Sequence, residues 1–395
     1  MKRLALLAAA ALLAACQSDH PLSPSTATLA VSGAEALALP APYAGGLRVM
    51  NYNVYLGTDL EPLLQAGSPD EFMAASARAW AELQQTDFPS RAGSLADQIA
   101  RVRPDLVGLE EVALWSVSAP YDPTRPPLAP FVVQYDFLQS VLRALRARGL
   151  DYVAAAADTT SDVAAPVPTA FDGAGNPTAF ALVRFQDRDA VLARRGVAYS
   201  HPQHGVYQTY LPLDLMGEQT GIYNGWSSVR ATVDGRTFRF VATHLNAEYG
   251  PVNAGQAQEL VGALQAETGP VVLVGDFNSG PGVSADFASA YDLVAGAGFT
   301  DLWPVAHPRD PGLTNGPNDG VGYLDAAGTL VPWPSLELTT RVDLVWVRDA
   351  AGAPHPVHAA LFGDRPGDRT ASGLWPSDHA AVGMVFELPL RGAHR

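Results

Sequence analysis

Val271-Val272-Leu273-Val274-Gly275-Asp276-Phe277-Asn278 is the stretch from which the rest of the chain is read. A short apolar run that breaks into Gly-Asp-Phe-Asn predicts a buried strand ending in a turn that presents an acid and an amide. About a hundred residues later, Pro376-Ser377-Asp378-His379 delivers a second acid beside a histidine, just ahead of another apolar stretch. Together the two segments offer hard oxygen ligands, an acid/base group and an amide donor. Metal-assisted attack on a phosphoester needs all three.

Working outward, other strand ends carry one polar group each. Leu47-Arg48-Val49-Met50-Asn51-Tyr52-Asn53 alternates as a strand and closes on Asn53. The apolar run Leu106 to Leu109 closes on Glu110-Glu111, and the hairpin across Asp234-Gly235 leads to His244. Asp343 lies in Arg341-Val342-Asp343-Leu344-Val345. Helices are expected after Ser68-Pro69-Asp70-Glu71, where a cap, a proline and an N3 acid coincide, and around Leu95, Leu138 and Leu260. Strands, hairpins and interspersed helices in this order predict an α+β sandwich in one domain. If the strands lie side by side, their polar ends converge on one edge.

The chemistry follows from charge. A phosphodiester is anionic and repels hydroxide, so a divalent cation must neutralise it and orient the phosphate. Glu111 is the first choice of ligand, with Asn53, Asp276 and Asp378 near it. A histidine moves protons near neutral pH, and a buried Asp343 would fix its tautomer. Asn278 would donate to the attacking water or to a transition-state oxygen. Taken singly, each of these residues has an ordinary structural explanation as a cap, a core acid or a bonded core histidine.

In order along the chain, these segments resemble the endonuclease/exonuclease/phosphatase superfamily with its deoxyribonuclease-I-like fold. The resemblance spans residues 47 to about 388 and is most specific at Gly275-Asp276-Phe277-Asn278 and Ser377-Asp378-His379. It is supported by Pro104 to Glu111, Thr243-His244-Leu245 and Arg341-Val342-Asp343. It implies a four-layer α/β/β/α sandwich and a Mg²⁺ or Mn²⁺ cofactor. It places the metal glutamate at Glu111, the asparagine that helps hold that site at Asn53, and an acid beside the metal at Asp378. The phosphate-contacting histidine falls on His244, the water-positioning acid and its amide on Asp276 and Asn278, and the catalytic pair on His379 and Asp343. Glu110 departs from the family's glutamine and is expected to add a charge near the site. The long spacing from Asn53 to Glu111 implies an inserted helix around 56–90, and the loop between Trp303 and Thr340 is enlarged. Insertions beside an active edge set substrate choice.

Composition bounds the function. With 48% hydrophobic residues, 16% charged residues and a mean hydropathy of +0.05, the chain reads as a folded domain rather than a disordered one. Lys2 and Arg3, the apolar run Leu4 to Ala15, and Leu13-Ala14-Ala15-Cys16 predict a lipoprotein signal over 1–15. A flexible tether then covers 16–45, and the phosphoesterase domain 46–390. The expected location is the cell envelope, anchored through lipidated Cys16, with Gln17 favouring the outer membrane. Removing the leader takes away the only lysine, leaving 23 arginines against 40 acids. A mature chain without lysine forms no Schiff base, and an acylated Cys16 is no nucleophile. There is no G-x-S-x-G elbow and no H-E-x-x-H helix. The acidic balance leans away from nucleic acid, which stays open as an alternative substrate beside phospholipid head groups and small phosphoesters. A monomer is expected. A surface lipoprotein that keeps the fold only for binding is the reading from a different class.

Overall fold

The computed structural model describes residues 46–388, apart from 123–128, 175, 216–217, 319 and 353. The signal, the tether and Cys16 lie outside the described residues. Two six-stranded sheets pack face to face. The first runs, in spatial order, His355–Phe362, Ala381–Glu387, Leu47–Asn53, Leu106–Glu110, Ala190–Arg194 and Tyr152–Ala157. The second runs Thr300–Asp301, Asp343–Arg348, Val271–Asp276, Arg236–His244, Gly225–Val233 and Ala198–Val206.

Strand periodicity builds the layers, because alternate side chains face opposite sides of a sheet. Leu47, Val49, Leu106, Phe240, Val272, Val274 and Val345 share the core between the sheets. Met50, Tyr52, Val107 and Leu109 face outward, packing with Leu95 and Ile99 of helix Phe88–Val102 and with Phe137 and Val141 of helix Phe137–Ala147. Val271, Leu273 and Trp346 pack with Ala257 and Leu260 of helix Gly250–Leu264 and with Val294 of helix Ala288–Gly296. The result is the four-layer α/β/β/α sandwich.

Where the sheets come closest, a Cβ at Gly108 would lie 2.6 Å from Val274 Cγ2. At Gly275 a Cβ would lie 1.9 Å from the Thr243 carbonyl oxygen, so the strand leading to Asp276 tolerates only glycine there.

The insertion near 56–90 is helical. It holds Glu61–Leu64 and Pro69–Gln85, the latter capped by Ser68 Oγ accepting from Glu71 N. The 303–340 loop carries a hairpin, Gly322–Leu324 with Leu330–Pro332, that lies over Trp375 and Tyr55. A four-stranded sheet of Val132–Asp136, Leu114–Tyr121, Pro177–Gln186 and Asp162–Phe171 was not foreseen. Its strand Asp162–Phe171, with four prolines and alanines in its first seven residues, lacks the clean alternation that marks a half-buried strand. Trp115, Trp303 and Trp375 are buried, so core packing accounts for them.

Candidate active site

The inward-facing column of each central strand starts apolar and ends polar. Leu47 and Val49 are followed by Asn51 and Asn53, Val272 and Val274 by Asp276, and Phe240 and Ala242 by His244. Register does the rest. His244 pairs with Asp276, and Asp276 with Asp343, in one row across the second sheet. Asn53 pairs with Glu110 in the first sheet. The polar ends therefore close the mouth of the inter-sheet core.

Asp276 is the hub of this row. Its Oδ1 accepts from the Asn278 backbone N (2.9 Å), which holds Asn278 at φ 46°, a left-handed conformation that asparagine adopts at little cost. That leaves Oδ2 to face the mouth. It accepts from Asn53 Nδ2 (3.0 Å) and lies 3.7 Å from Nε2 of His244 and 3.7 Å from Nε2 of His379.

His379 Nδ1 is 2.8 Å from Asp343 Oδ2, and Asp343 Oδ1 accepts from Asn51 Nδ2 at 3.3 Å. Burial alone would lower the His379 pKa, but the charges of Asp343 and Asp276 outweigh it and raise it well above the usual histidine value. On the other side, Asn278 Nδ2 is 3.2 Å from His244 Nε2 and donates to Leu245 O at 2.9 Å.

Glu111 follows its strand at φ 61°. Its Oε1 accepts from Asn53 Nδ2 (2.8 Å) and its Oε2 from Leu56 N (2.6 Å). Burial pushes its pKa up to about 7, opposed by His244 and reinforced by the charges of Asp378 and Asp187. Asp378 accepts from Gly320 N at 2.9 Å and from Ser377 Oγ at 3.2 Å. All eight expected residues are thus drawn to one mouth, with Asn53 bracing Glu111 against Asp276.

Crowded buried carboxylates with raised pKa values are a donor set that a divalent cation would relieve. Asp276, Asp343 and His379 offer ligand atoms within 4.8 Å of one another, a cluster able to hold a metal ion.

Glu110 corrects one expectation. It is fully buried, neither carboxylate oxygen has a hydrogen-bond partner among the described residues, and it faces Asp343 and Asp276. Burial first, then those two charges, raise its pKa well above the carboxylate range. Burial therefore disfavours the charge expected at this position.

Three contributors escaped the sequence reading. Buried Arg91 donates to Val54 O (2.8 Å), Tyr55 O (3.1 Å), Thr86 O (3.0 Å) and Pro376 O (2.9 Å), so it ties the loop after Asn53 to the one before His379. Asp189 Oδ1 lies 4.0 Å from His244 Nδ1 and accepts from Glu111 N at 3.4 Å. Its signal was present: Asp187-Arg188-Asp189 places acids just ahead of a strand, as Asp343 does. Asn315 Nδ2 lies 2.9 Å from His379 Nε2, and nothing in its Gly/Pro/Asn-rich loop marked it.

Residues 50–379 match the model of the endonuclease/exonuclease/phosphatase family. The chain belongs to this family. It is a hydrolase of phosphoester bonds, in a family whose enzymes use divalent metals. No curated protein matches the chain. Among solved structures it is similar to D. rerio TDP2 humanized by 14 mutations, at 15% identity over 87% of this chain and 99% of that one, with a TM-score of 0.49. D. rerio TDP2 complexed with single-strand DNA product is 17% identical over 87% and 99% of the two chains, with a TM-score of 0.48. An endonuclease/exonuclease/phosphatase family protein from Leptotrichia buccalis is 14% identical over 87% and 100%, with a TM-score of 0.48. At this likeness these neighbours carry nothing about substrate.

Proposed function

We propose that the chain is a divalent-metal-dependent phosphoesterase that hydrolyses a phosphodiester or phosphomonoester, a phospholipid head group or a small phosphoester before nucleic acid. The observation that carries this reading is the placement of two imidazole Nε2 atoms, each 3.7 Å from the single outward oxygen of Asp276. Asp276 Oδ2 orients the attacking water, and Asn278 and His244 hold the phosphoryl group. His379, kept in one orientation by Asp343, holds or moves a proton at Nε2. Glu111, with Asn53 and Asp378 beside it, would hold Mg²⁺ or Mn²⁺, which supplies charge neutralisation for the anionic phosphoester.

An apolar cavity of about 100 Å³ supports a substrate with a hydrocarbon portion. It lies between the inserted helices and the four-stranded sheet, lined by Leu60, Phe72, Trp80, Trp115 and Phe185. Trp115 Nε1 donates to Leu56 O (3.0 Å), and Leu56 N donates to Glu111, so this wall joins the carboxylate edge.

The test is a substrate panel of sphingomyelin, phosphatidylinositol, inositol phosphates and DNA, with Mg²⁺ or Mn²⁺ and with EDTA. Turnover should stop in EDTA. Asp276→Ala and His379→Ala should each lose on the order of 10² or more in rate. Activity persisting in both variants would sink the assignment, and turnover of DNA alone would shift it to a nuclease.

A further inference from the structure

We infer that Asn315 is a further catalytic residue, an amide donor that the enlarged 303–340 loop supplies to the phosphoryl group at His379. The inference rests on the phosphoester reading of this site and adds to it a residue from outside the strand ends.

The mouth has a symmetry that no single motif shows. On one side His244 Nε2 faces Asp276 Oδ2 at 3.7 Å and meets the amide Nδ2 of Asn278 at 3.2 Å. On the other side His379 Nε2 faces the same oxygen at 3.7 Å and meets the amide Nδ2 of Asn315 at 2.9 Å. Each imidazole therefore presents Nε2 toward the hub with an asparagine amide beside it. Since His379 Nδ1 is engaged by Asp343, Nε2 is the atom left for a ligand. The Asn315 amide already stands there, 2.9 Å from that atom.

The loop does not bring this amide by chance of a flexible tip. Thr314 is fully buried, and its Oγ1 accepts from Val342 N (3.2 Å) and Asp343 N (3.1 Å). Its backbone O accepts from Ala380 N (2.8 Å) and its N donates to Thr340 O (2.7 Å). Asn315 itself donates from N to Thr340 O (3.1 Å) and accepts at O from Thr339 N (2.8 Å) and Thr340 N (3.0 Å). A Cβ on Gly316 would lie 2.4 Å from Glu337 O, so the next residue must be glycine for the chain to pass. These bonds fix the peptide to the same segments, 340–343 and 380, that hold Asp343 and His379. A donor held rigidly where negative charge develops needs no reorganisation at the moment of reaction, which is the condition for it to lower the barrier. With a phosphoester bound beside Nε2, the amide donates to a non-bridging phosphoryl oxygen, opposite Asn278.

The test compares the full chain with Asn315→Ala and with Asn318→Ala, a polar residue of the same loop whose side chain donates to Ser335 O. Two readouts are used: steady-state hydrolysis of bis(4-nitrophenyl) phosphate, and calorimetric titration with inorganic phosphate in Mn²⁺. For Asn315→Ala, kcat should fall by about 10²-fold with KM raised by no more than about tenfold, the pattern of a contact made in the ground state and strengthened in the transition state. Phosphate should bind roughly tenfold more weakly, as for loss of one hydrogen bond to a charged group. Its Tm, and all three quantities in Asn318→Ala, should match the unsubstituted chain.

A kcat within about threefold of the unsubstituted chain, or unchanged phosphate affinity, overturns the inference. So does a kcat loss that comes with a Tm drop of several degrees, because that marks a structural role. If the unsubstituted chain binds phosphate yet hydrolyses none of the esters, the phosphoester reading fails and the titration alone decides the role of Asn315. If it neither binds nor hydrolyses, both fall.

Discussion

At the scale of single residues, the strand-end groups were legible because each breaks an apolar column at a turn. Asn53, Glu111, His244 and Asp276 all announce themselves that way, and Asp378 by standing beside His379 just ahead of a strand. Asn315 did not, because an asparagine in a Gly/Pro-rich loop looks like any turn residue, and only tertiary contact sets it against His379. Glu110 was seen, but not its burial, which is not written in sequence. It yields a pH prediction. The folded protein holds a proton on Glu110 that the unfolded chain releases above its ordinary pKa of 4.5. Stability is therefore full below that value and is lost as pH rises toward the folded pKa. Glu110→Gln has no proton to lose. Its advantage over the unsubstituted chain should grow as pH rises above about 5, by no more than roughly 1.4 kcal/mol per pH unit. Urea denaturation in EDTA at several pH values checks this, and parallel pH profiles would show that Glu110 is ionised in the folded state.

Elements were read best where a local rule sufficed. Ser68 caps its helix as Ser-Pro-Asp-Glu implies, and the Asp234-Gly235 hairpin pairs Ser228 with Val241 through Val233 with Arg236. The four-stranded sheet was missed because its strands, such as Asp162–Phe171 with Pro166 and Pro168, carry breakers that an edge or bulged strand tolerates. How elements are joined was equally hidden. Arg91 sits on the buried face of helix Phe88–Val102, and its guanidinium binds carbonyls from three other segments. Burial lowers its pKa to about 10, which still leaves it charged at neutral pH. Arg91→Met would strand the carbonyls of Val54, Tyr55 and Pro376 without a donor. The expected loss is about 3 kcal/mol or more, read as a lower denaturation midpoint, together with reduced turnover. Arg91→Lys should recover little, because an ammonium cannot reproduce the planar fork. An unchanged midpoint in Arg91→Met would show that these contacts are incidental.

At the scale of the whole molecule, the fold class was legible because strand and helix periodicities alternate along the chain in an order that closes on a single sandwich. Anchoring is a separate matter: no helix among the described residues is long and apolar enough to cross a membrane, and lipidation of Cys16 stays an expectation from the sequence. The full chain made in a bacterial host should partition into detergent, and Cys16→Ala should move it to the aqueous phase. Aqueous partitioning of the unsubstituted chain would remove the lipid anchor from the account. One feature of the first sheet reaches further. Its strand Leu47–Asn53 lies between Leu106–Glu110 and Ala381–Glu387, and Ser377 Oγ donates to Asn53 O across 324 residues of chain. During synthesis, Asn53 and Glu111 leave the ribosome early, while Asp378 and His379 follow roughly tens of seconds later. Until they arrive the strand lacks one neighbour and the mouth lacks its proton carrier. Order in the chain thus separates the two halves of the mouth in time as well as in sequence.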